Sequence, residues 1–363
     1  MRRLHELFTV GGQSPWLDNL DRRALNSGEL AQWIADGVRG VTSNPTIFAK
    51  SMSSSDAYDT ELGDLMAHGA DVAQAYWRLA QSDVGAAADL FRPLYEQSGG
   101  VDGYVSIEVD PHLADKTAAT VQAGVDLAQA LARPNVLIKV PATAAGIPAI
   151  RELTARGINV NVTLIFSLER YDEVIEAYQA GLGQRSGPLT TAVSVASFFV
   201  SRVDTEVDRR LETIGSPAAL ALRGQAAVSQ ARLAYALFEA RFGGPRWADL
   251  AARGARVQRP LWASTSTKNP AYPDTLYVDE LIGPSSVNTL PEATLRAFVD
   301  HGHIAPRISH APEQAKAHLE RLGELGIDLA DVANQLEQEG VASFAKSFDE
   351  VLQALAAKAE TLR

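Results

Sequence analysis

One lysine, Lys139, stands inside an apolar run, VLIKVPA. Burying an ammonium among aliphatic side chains is costly unless the group is paired or neutral. One reading lays the stem on the core and leaves the charge in water. The other is a nucleophilic amine. A free lysine ionises at about 10.4, so almost none of it is neutral at pH 7. Desolvation favours the uncharged amine, which attacks a ketone carbonyl to give an imine. In a central parallel strand, covered by helices on one face, the second reading gains weight. Glu108, in VSIEVD, is flanked by Ile107 and Val109. If those two face the covering helices, Glu108 and Ser106 share the opposite face. Asp18, in WLDNLD, is a second carboxylate, with Asp21 close by as an alternative helix cap. Imine chemistry moves protons at more than one position, so two separate carboxylates have work to do.

Further polar residues fall late in apolar runs or just after them: Asn44, Asn161, Thr163, Ser197, Arg202, Ser264, Ser266 and Lys268. Taken singly, a cation such as Arg202 or Lys268 is more often a surface charge than a ligand group. Lys268 lies in STSTKN with four hydroxyl neighbours, and hydroxyls beside a cation suit a phosphate. His301, His303 and His310 share a stretch with Pro306 but show no carboxylate at ligand spacing, so no metal site is read there. HELF at 5–8 is followed by Thr9 and does not complete H-E-x-x-H, and neither a G-x-S-x-G elbow nor a Walker loop occurs.

These residues need elements to position them. Eight runs read as strands: 16–20, 39–43, 103–109, 135–141, 158–165, 191–200, 260–265 and 274–279. Several are apolar on both faces, as parallel strands under helices are. Helical patterns lie between them, at 114–133, at 167–182 behind a candidate cap in Ser167, and at 216–242 as one or two helices. Strands alternating with helices predict a (β/α)8 TIM barrel, with the polar strand ends gathered at its C-terminal face. An open doubly wound sheet is the rival. GLGQRSG at 181–187 has Ser186 where a third glycine belongs, and no strand leads into it. The connections after the second and sixth strands, roughly 50–60 residues long, leave room for additional helices. From about 290 to 363 the pattern is helical, read as C-terminal helices packed on the barrel within a single domain of 1–363.

Composition bounds the partners. The chain has 363 residues, 46% hydrophobic and 21% charged, enough for a large core. Its 33 basic and 44 acidic residues give a net charge of -11, which disfavours nucleic acid, while local cations can still hold a small phosphate. Cysteine is absent, removing disulfides and thiolate chemistry. No signal peptide or membrane-length apolar run is read, so the expectation is a cytoplasmic protein.

Six runs in order carry a resemblance: GVTSNPTIFAKSM (40–52), GYVSIEVDPHLADKT (103–117), RPNVLIKVPAT (133–143), GINVNVTLIFSLERY (157–171), SVASFFVSRVDTEVD (194–208) and LWASTSTKNPAYPDTLYVDELIGP (261–284). Together they resemble transaldolase, in the long bacterial form, within the class I Schiff-base aldolases; HIAPRISHAPEQ (303–314) matches none of these motifs. The resemblance implies a (β/α)8 barrel with Lys139 as the Schiff-base lysine. It implies that Glu108 works through a water held by Thr163, and that Asp18 takes the C4 hydroxyl proton. By the same resemblance Asn44, Asn161 and Ser197 bind the dihydroxyacetone hydroxyls and Arg202 binds phosphate, with Ser266 and Lys268 as further phosphate ligands. The activity implied is transfer of dihydroxyacetone between sugar phosphates in the pentose phosphate pathway, by a monomer or homodimer, without cofactor or metal. The related fructose 6-phosphate aldolase, which releases dihydroxyacetone, has glutamine in place of Glu108 and tyrosine in place of Phe199, so both residues here favour transfer. A non-catalytic sugar-phosphate sensor is a rival of another class, and the presence of Lys139 argues against it.

Overall fold

The computed structural model describes residues 2–362. Eight parallel strands close into a barrel in simple chain order. They are β1 (Gln13–Leu17), β2 (Gly40–Val41), β3 (Tyr104–Glu108), β4 (Val136–Pro141), β5 (Val160–Ile165), β6 (Ser194–Phe199), β7 (Arg259–Ala263) and β8 (Ser286–Leu290). Each of β3 to β8 is buried along its whole length, because helices cover the outside and side chains fill the inside.

Five of the expected strands stand with trimmed ends, the one expected at 260–265 runs from Arg259 to Ala263, and two expectations are corrected. The run 274–279 is not a strand: it is a turn leading into the short helix Leu276–Asp279. Pro273 opens this turn, with Leu276 N–H donating to its carbonyl and Thr275 accepting from Val278 and Asp279. The eighth strand lies further on, in SVNTL, where Asn288 and Thr289 interrupt the apolar pattern that marks the other strands. The first strand begins at Gln13, earlier than the apolar run at 16–20 indicates. Its polar start is buried because it is hydrogen-bonded: Gln13 Nε2 donates to the Leu281 carbonyl at 2.7 Å and Ser14 Oγ to Asp102 at 3.0 Å. Asp102, fully buried before β3, is paired with Arg39 at 2.6 Å and Arg259 at 3.2 Å, closing the N-terminal end of the barrel.

Local signals set the helix starts. Ser167 caps the helix Leu168–Gln184, accepting from Arg170 N–H at 3.0 Å. Asp21 caps Arg22–Ser27, and Asn44 caps Pro45–Ser54, whose proline sits where its missing N–H costs nothing. The region 216–242 divides into Pro217–Leu220 and Ala226–Gly243. The chain ends in a 33-residue helix, Leu329–Thr361, that packs on Pro45–Ser54 and on β5.

Candidate active site

Register places the central residues. Across β3 and β4, Glu108 pairs with Lys139; across β4 and β5, Lys139 pairs with Asn161 and Pro141 with Thr163. Directly paired residues in a parallel sheet project to the same side, so Glu108, Lys139 and Asn161 form one inward row. Lys139 is 5% exposed and its Nζ lies 3.5 Å from Glu108 Oε2. Nζ also donates to the Ser43 carbonyl at 3.3 Å. The contact with Glu108 is a charge contact rather than an aligned hydrogen bond, and Oε2 is left without a hydrogen-bonding partner. Burial pushes the Glu108 carboxyl up to about 6, against the opposing pull of Lys139. Thr163 Oγ1 is a second buried oxygen without a partner.

A hydrogen-bonded chain orders the next strands. Ser197 Oγ donates to Asn161 Oδ1 at 2.7 Å, and Asn161 Nδ2 donates to Ser106 Oγ at 3.0 Å. Ser106 therefore shares the inward face with Glu108. On the other side, Asp18 leaves the end of β1 with its N–H on the Leu290 carbonyl. Thr42 Oγ1 donates to Asp18 Oδ1 at 2.8 Å and lies 2.9 Å from Thr289 Oγ1. A hydroxyl has one hydrogen, so Thr289 donates in that second contact. Burial raises the Asp18 pKa, opposed by Lys139, by the Thr42 bond, and by Arg202 and Lys268. The pair Asp18 and Asp21 is thereby resolved: Asp21 caps a helix, and Asp18 faces the site.

A cavity of about 700 Å³ opens at the C-terminal ends of the strands. Asp18, Asn44, Lys139, Ser197, Phe199, Arg202, Ser266 and Lys268 line it. Glu108, Asn161 and Thr163 lie behind that lining, buried beside Lys139 and Ser197. Asn44 Oδ1 accepts from Ile47 N–H at 2.9 Å, which fixes the side chain, and its amide hydrogens remain to face a ligand. Arg202 stands in the first turn of Ser201–Ile214 with its guanidinium 5.2 Å from the Phe199 ring centre, and forms no ion pair among the described residues. Burial lowers its pKa, opposed by Glu339 and Asp18. Lys268 donates to Ser266 Oγ at 2.8 Å on the loop after β7. Cations that are not paired with a protein carboxylate, next to hydroxyls, are what a phosphate requires.

Sequence reasoning missed several residues. Thr289 lies on the strand that was misplaced. Lys50 and Arg296 also line the cavity, but both sit on helices with nothing local to mark them. Phe344, on the C-terminal helix, is 4% exposed and has its ring centre 5.8 Å from Lys139 Nζ. The histidine stretch lies elsewhere, on the surface. His301 contacts its chain neighbour Asp300 at 3.1 Å and Asp274 at 2.8 Å, and His303 contacts Asp279; the fold brings in Asp274 and Asp279. Among the described residues no group of three or more His, Cys, Asp or Glu is arranged to hold a metal.

The chain as a whole has relatives. The model of the Transaldolase/Fructose-6-phosphate aldolase family matches residues 15–355. A transaldolase of Thermobifida fusca is 52% identical over 350 residues, covering 95% of each chain. A transaldolase of Mycolicibacterium smegmatis is 52% identical over 352 residues, covering 96% of this chain and 95% of its own. One of Parafrankia sp. is 51% identical over 351 residues, again covering 95% of each.

Proposed function

The chain belongs to the transaldolase/fructose-6-phosphate aldolase family and is an enzyme that transfers aldehyde or ketone residues, and on that premise we propose that Lys139 carries the reaction as an imine. Its activity is that of a transaldolase, and the Schiff-base mechanism is general to the family. What supports the assignment to Lys139 is its position: buried in the row with Glu108 and Asn161, facing a cavity whose other lining includes Arg202 and Lys268.

In this reading neutral Lys139 attacks C2 of fructose 6-phosphate or sedoheptulose 7-phosphate. Glu108 takes and returns protons through a water held at Thr163 as the carbinolamine loses hydroxide and becomes an iminium; the two unpartnered buried oxygens suit such a water. The iminium draws electrons from the C3–C4 bond once Asp18 removes the C4 hydroxyl proton, and the aldose phosphate departs. Dihydroxyacetone remains as an enamine until glyceraldehyde 3-phosphate or erythrose 4-phosphate accepts it. Asn44, Asn161 and Ser197 hold its hydroxyls, and Arg202 with Ser266 and Lys268 holds the phosphate. Phe199, two residues after Ser197 on β6, presents an apolar ring to the same cavity. No step calls on a metal or cofactor, because the iminium is the electron sink.

We place this activity in the cytoplasm, in the pentose phosphate pathway, as a monomer or homodimer that binds sugar phosphates and not nucleic acid. The net charge of -11 and the lack of cysteine support that setting. No described helix is long and apolar enough to cross a membrane. Borohydride reduction in the presence of fructose 6-phosphate tests the chemistry. Peptide mass spectrometry is expected to find a three-carbon adduct on Lys139. An adduct on another lysine, or none, overturns the assignment.

A further inference from the structure

The C-terminal helix reaches the reacting amine. Three of its residues, each about one turn from the next, define how it approaches. Gly340 lies against β5: a Cβ there would stand 2.8 Å from Leu164 Cδ2. Leu164 is itself unusual, a leucine with φ +60° at a register shift between Val162 and Ile165. The left-handed backbone turns this residue out of the regular alternation of β5 and toward the helix. Ser347 shares a hydrogen bond of 2.8 Å with Thr46, in the first turn of the helix that Asn44 caps. Between these two contacts Phe344 enters the cavity. Beyond them Phe348 sits on Tyr76 at 5.0 Å and beside His112 at 5.7 Å, between ring centres. The helix is thus pinned on both sides of Phe344, and the ring has little freedom to move away from Lys139.

On the reading that Lys139 forms the imine, we propose that Phe344 is a positioning residue that keeps water from the covalent intermediate and so sets transfer against release. Release requires two events at the enamine. A proton must be added at C3, giving the iminium, and a water must then add at C2. The carbinolamine collapses to free dihydroxyacetone and the lysine amine, so one water is consumed for each dihydroxyacetone released. Transfer does without that proton: C3 attacks the acceptor aldehyde, whose oxygen takes up a proton, and the new ketose iminium then takes up water at C2 to free the product and the lysine amine. The branch between release and transfer is therefore set at the enamine, by whether water brings a proton to C3 before the acceptor arrives. A buried phenyl ring near Nζ offers water no strong hydrogen bond and fills the space from which it would approach. Phe199 and Phe344 come from opposite sides of the chain, one from the barrel wall and one from the terminal helix, and both present apolar rings to the same cavity.

The test is the ratio of release to transfer, both measured from fructose 6-phosphate: free dihydroxyacetone formed without acceptor, and transfer to erythrose 4-phosphate. A fold defect lowers both rates through the amount of active enzyme and leaves their ratio unchanged. Phe344→Leu, Phe344→Val and Phe344→Ala remove progressively more of the wall. The ratio is expected to stay near wild type in Phe344→Leu, to rise in Phe344→Val, and to rise about tenfold in Phe344→Ala. If Phe344→Ala does not fold, the step from leucine to valine carries the comparison. Borohydride trapping is run on each variant. An unchanged ratio in enzymes that still trap the adduct on Lys139 overturns the role of Phe344. Failure of wild type to trap on Lys139 removes the premise, and this role with it.

Discussion

At the scale of single residues, Glu108 is the group whose environment makes the sharpest demand. Its carboxyl is buried, which raises its pKa to about 6, and Lys139 at 3.5 Å moderates the rise. Below about 6 Glu108 is protonated in the folded enzyme; above it, the group is ionised and able to accept the proton shed as Lys139 attacks. Activity limited by imine formation is therefore expected to climb as pH rises through about 6. Glu108→Gln keeps the shape and cannot titrate. It should lose that limb of the kcat/KM profile and fall by about 10²-fold or more, the usual contribution of a positioned acid–base group. A Glu108→Gln profile that keeps the limb places the titration elsewhere. Residue types made this legible in advance: a lysine or glutamate with aliphatics on both sides in a covered strand is too costly to bury without a paired charge or a chemical role. Phe344 was not legible, because a phenylalanine in an amphipathic helix looks the same whether it touches core or substrate.

At the scale of elements, the phosphate end depends on how two segments are joined. Arg202 belongs to the helix Ser201–Ile214, while Ser266 and Lys268 belong to the loop after β7. Ser201 N–H donates to the Ser264 carbonyl at 3.0 Å, and the two serine hydroxyls lie 2.9 Å apart. Further along, Tyr272 Oη donates to Asp208 at 2.6 Å and Tyr277 Oη to Asp204 at 2.7 Å. Both acids also accept backbone N–H groups, Asp208 from Gly224 and Asp204 from Ala227. The helix and loop are thus fastened at three levels, which sets Arg202 and Lys268 at a fixed spacing. Tyr272→Phe removes the outermost fastening and touches no lining residue. Its expected effect is a KM for fructose 6-phosphate raised several-fold with kcat nearly kept, and about 1 kcal/mol less stability. A kcat loss with unchanged KM counts against this coupling. The same loop explains where sequence patterns failed. Leu276, Tyr277 and Val278 are apolar because Tyr277 and Val278 are buried beside this latch, so they imitate a strand. The true β8 reads as polar because Asn288 and Thr289 are hydrogen-bonded inside, to Thr265 and Thr42. Periodicity reports burial and cannot tell which element supplies it.

At the scale of the whole molecule, a net charge of -11 coexists with a cavity lined by Lys50, Lys139, Arg202, Lys268 and Arg296 against Asp18 and Glu292. The positive field is local, within the reach of charges screened over about 10 Å. One of the walls that confine it comes from the far end of the chain. The helix Leu329–Thr361 buries Val332, Leu336, Phe344, Phe348, Val351 and Leu355 along one stripe. Charge contacts hold its two ends: Asp331 with Arg210 at 2.7 Å, and Lys358 with Asp59 at 2.8 Å and with the Ser55 carbonyl. Exposed pairs of this kind each add little, so the apolar stripe is the main attachment. We infer that the barrel and this helix form one cooperative unit across the described residues 2–362, rather than a barrel with an appended segment. Each large side chain in the stripe loses on the order of 1.5–3 kcal/mol of burial if the helix lifts, so six of them bring partial opening close to the full stability of a domain. Hydrogen exchange followed by mass spectrometry across a denaturant series checks this. Amides in the middle of the helix, around Phe344, are expected to open at the same denaturant concentration as those of β4 and β5. Exchange of the helix at clearly lower denaturant, with the strands still protected, would show that it undocks alone, and the wall beside Lys139 would then be a movable one.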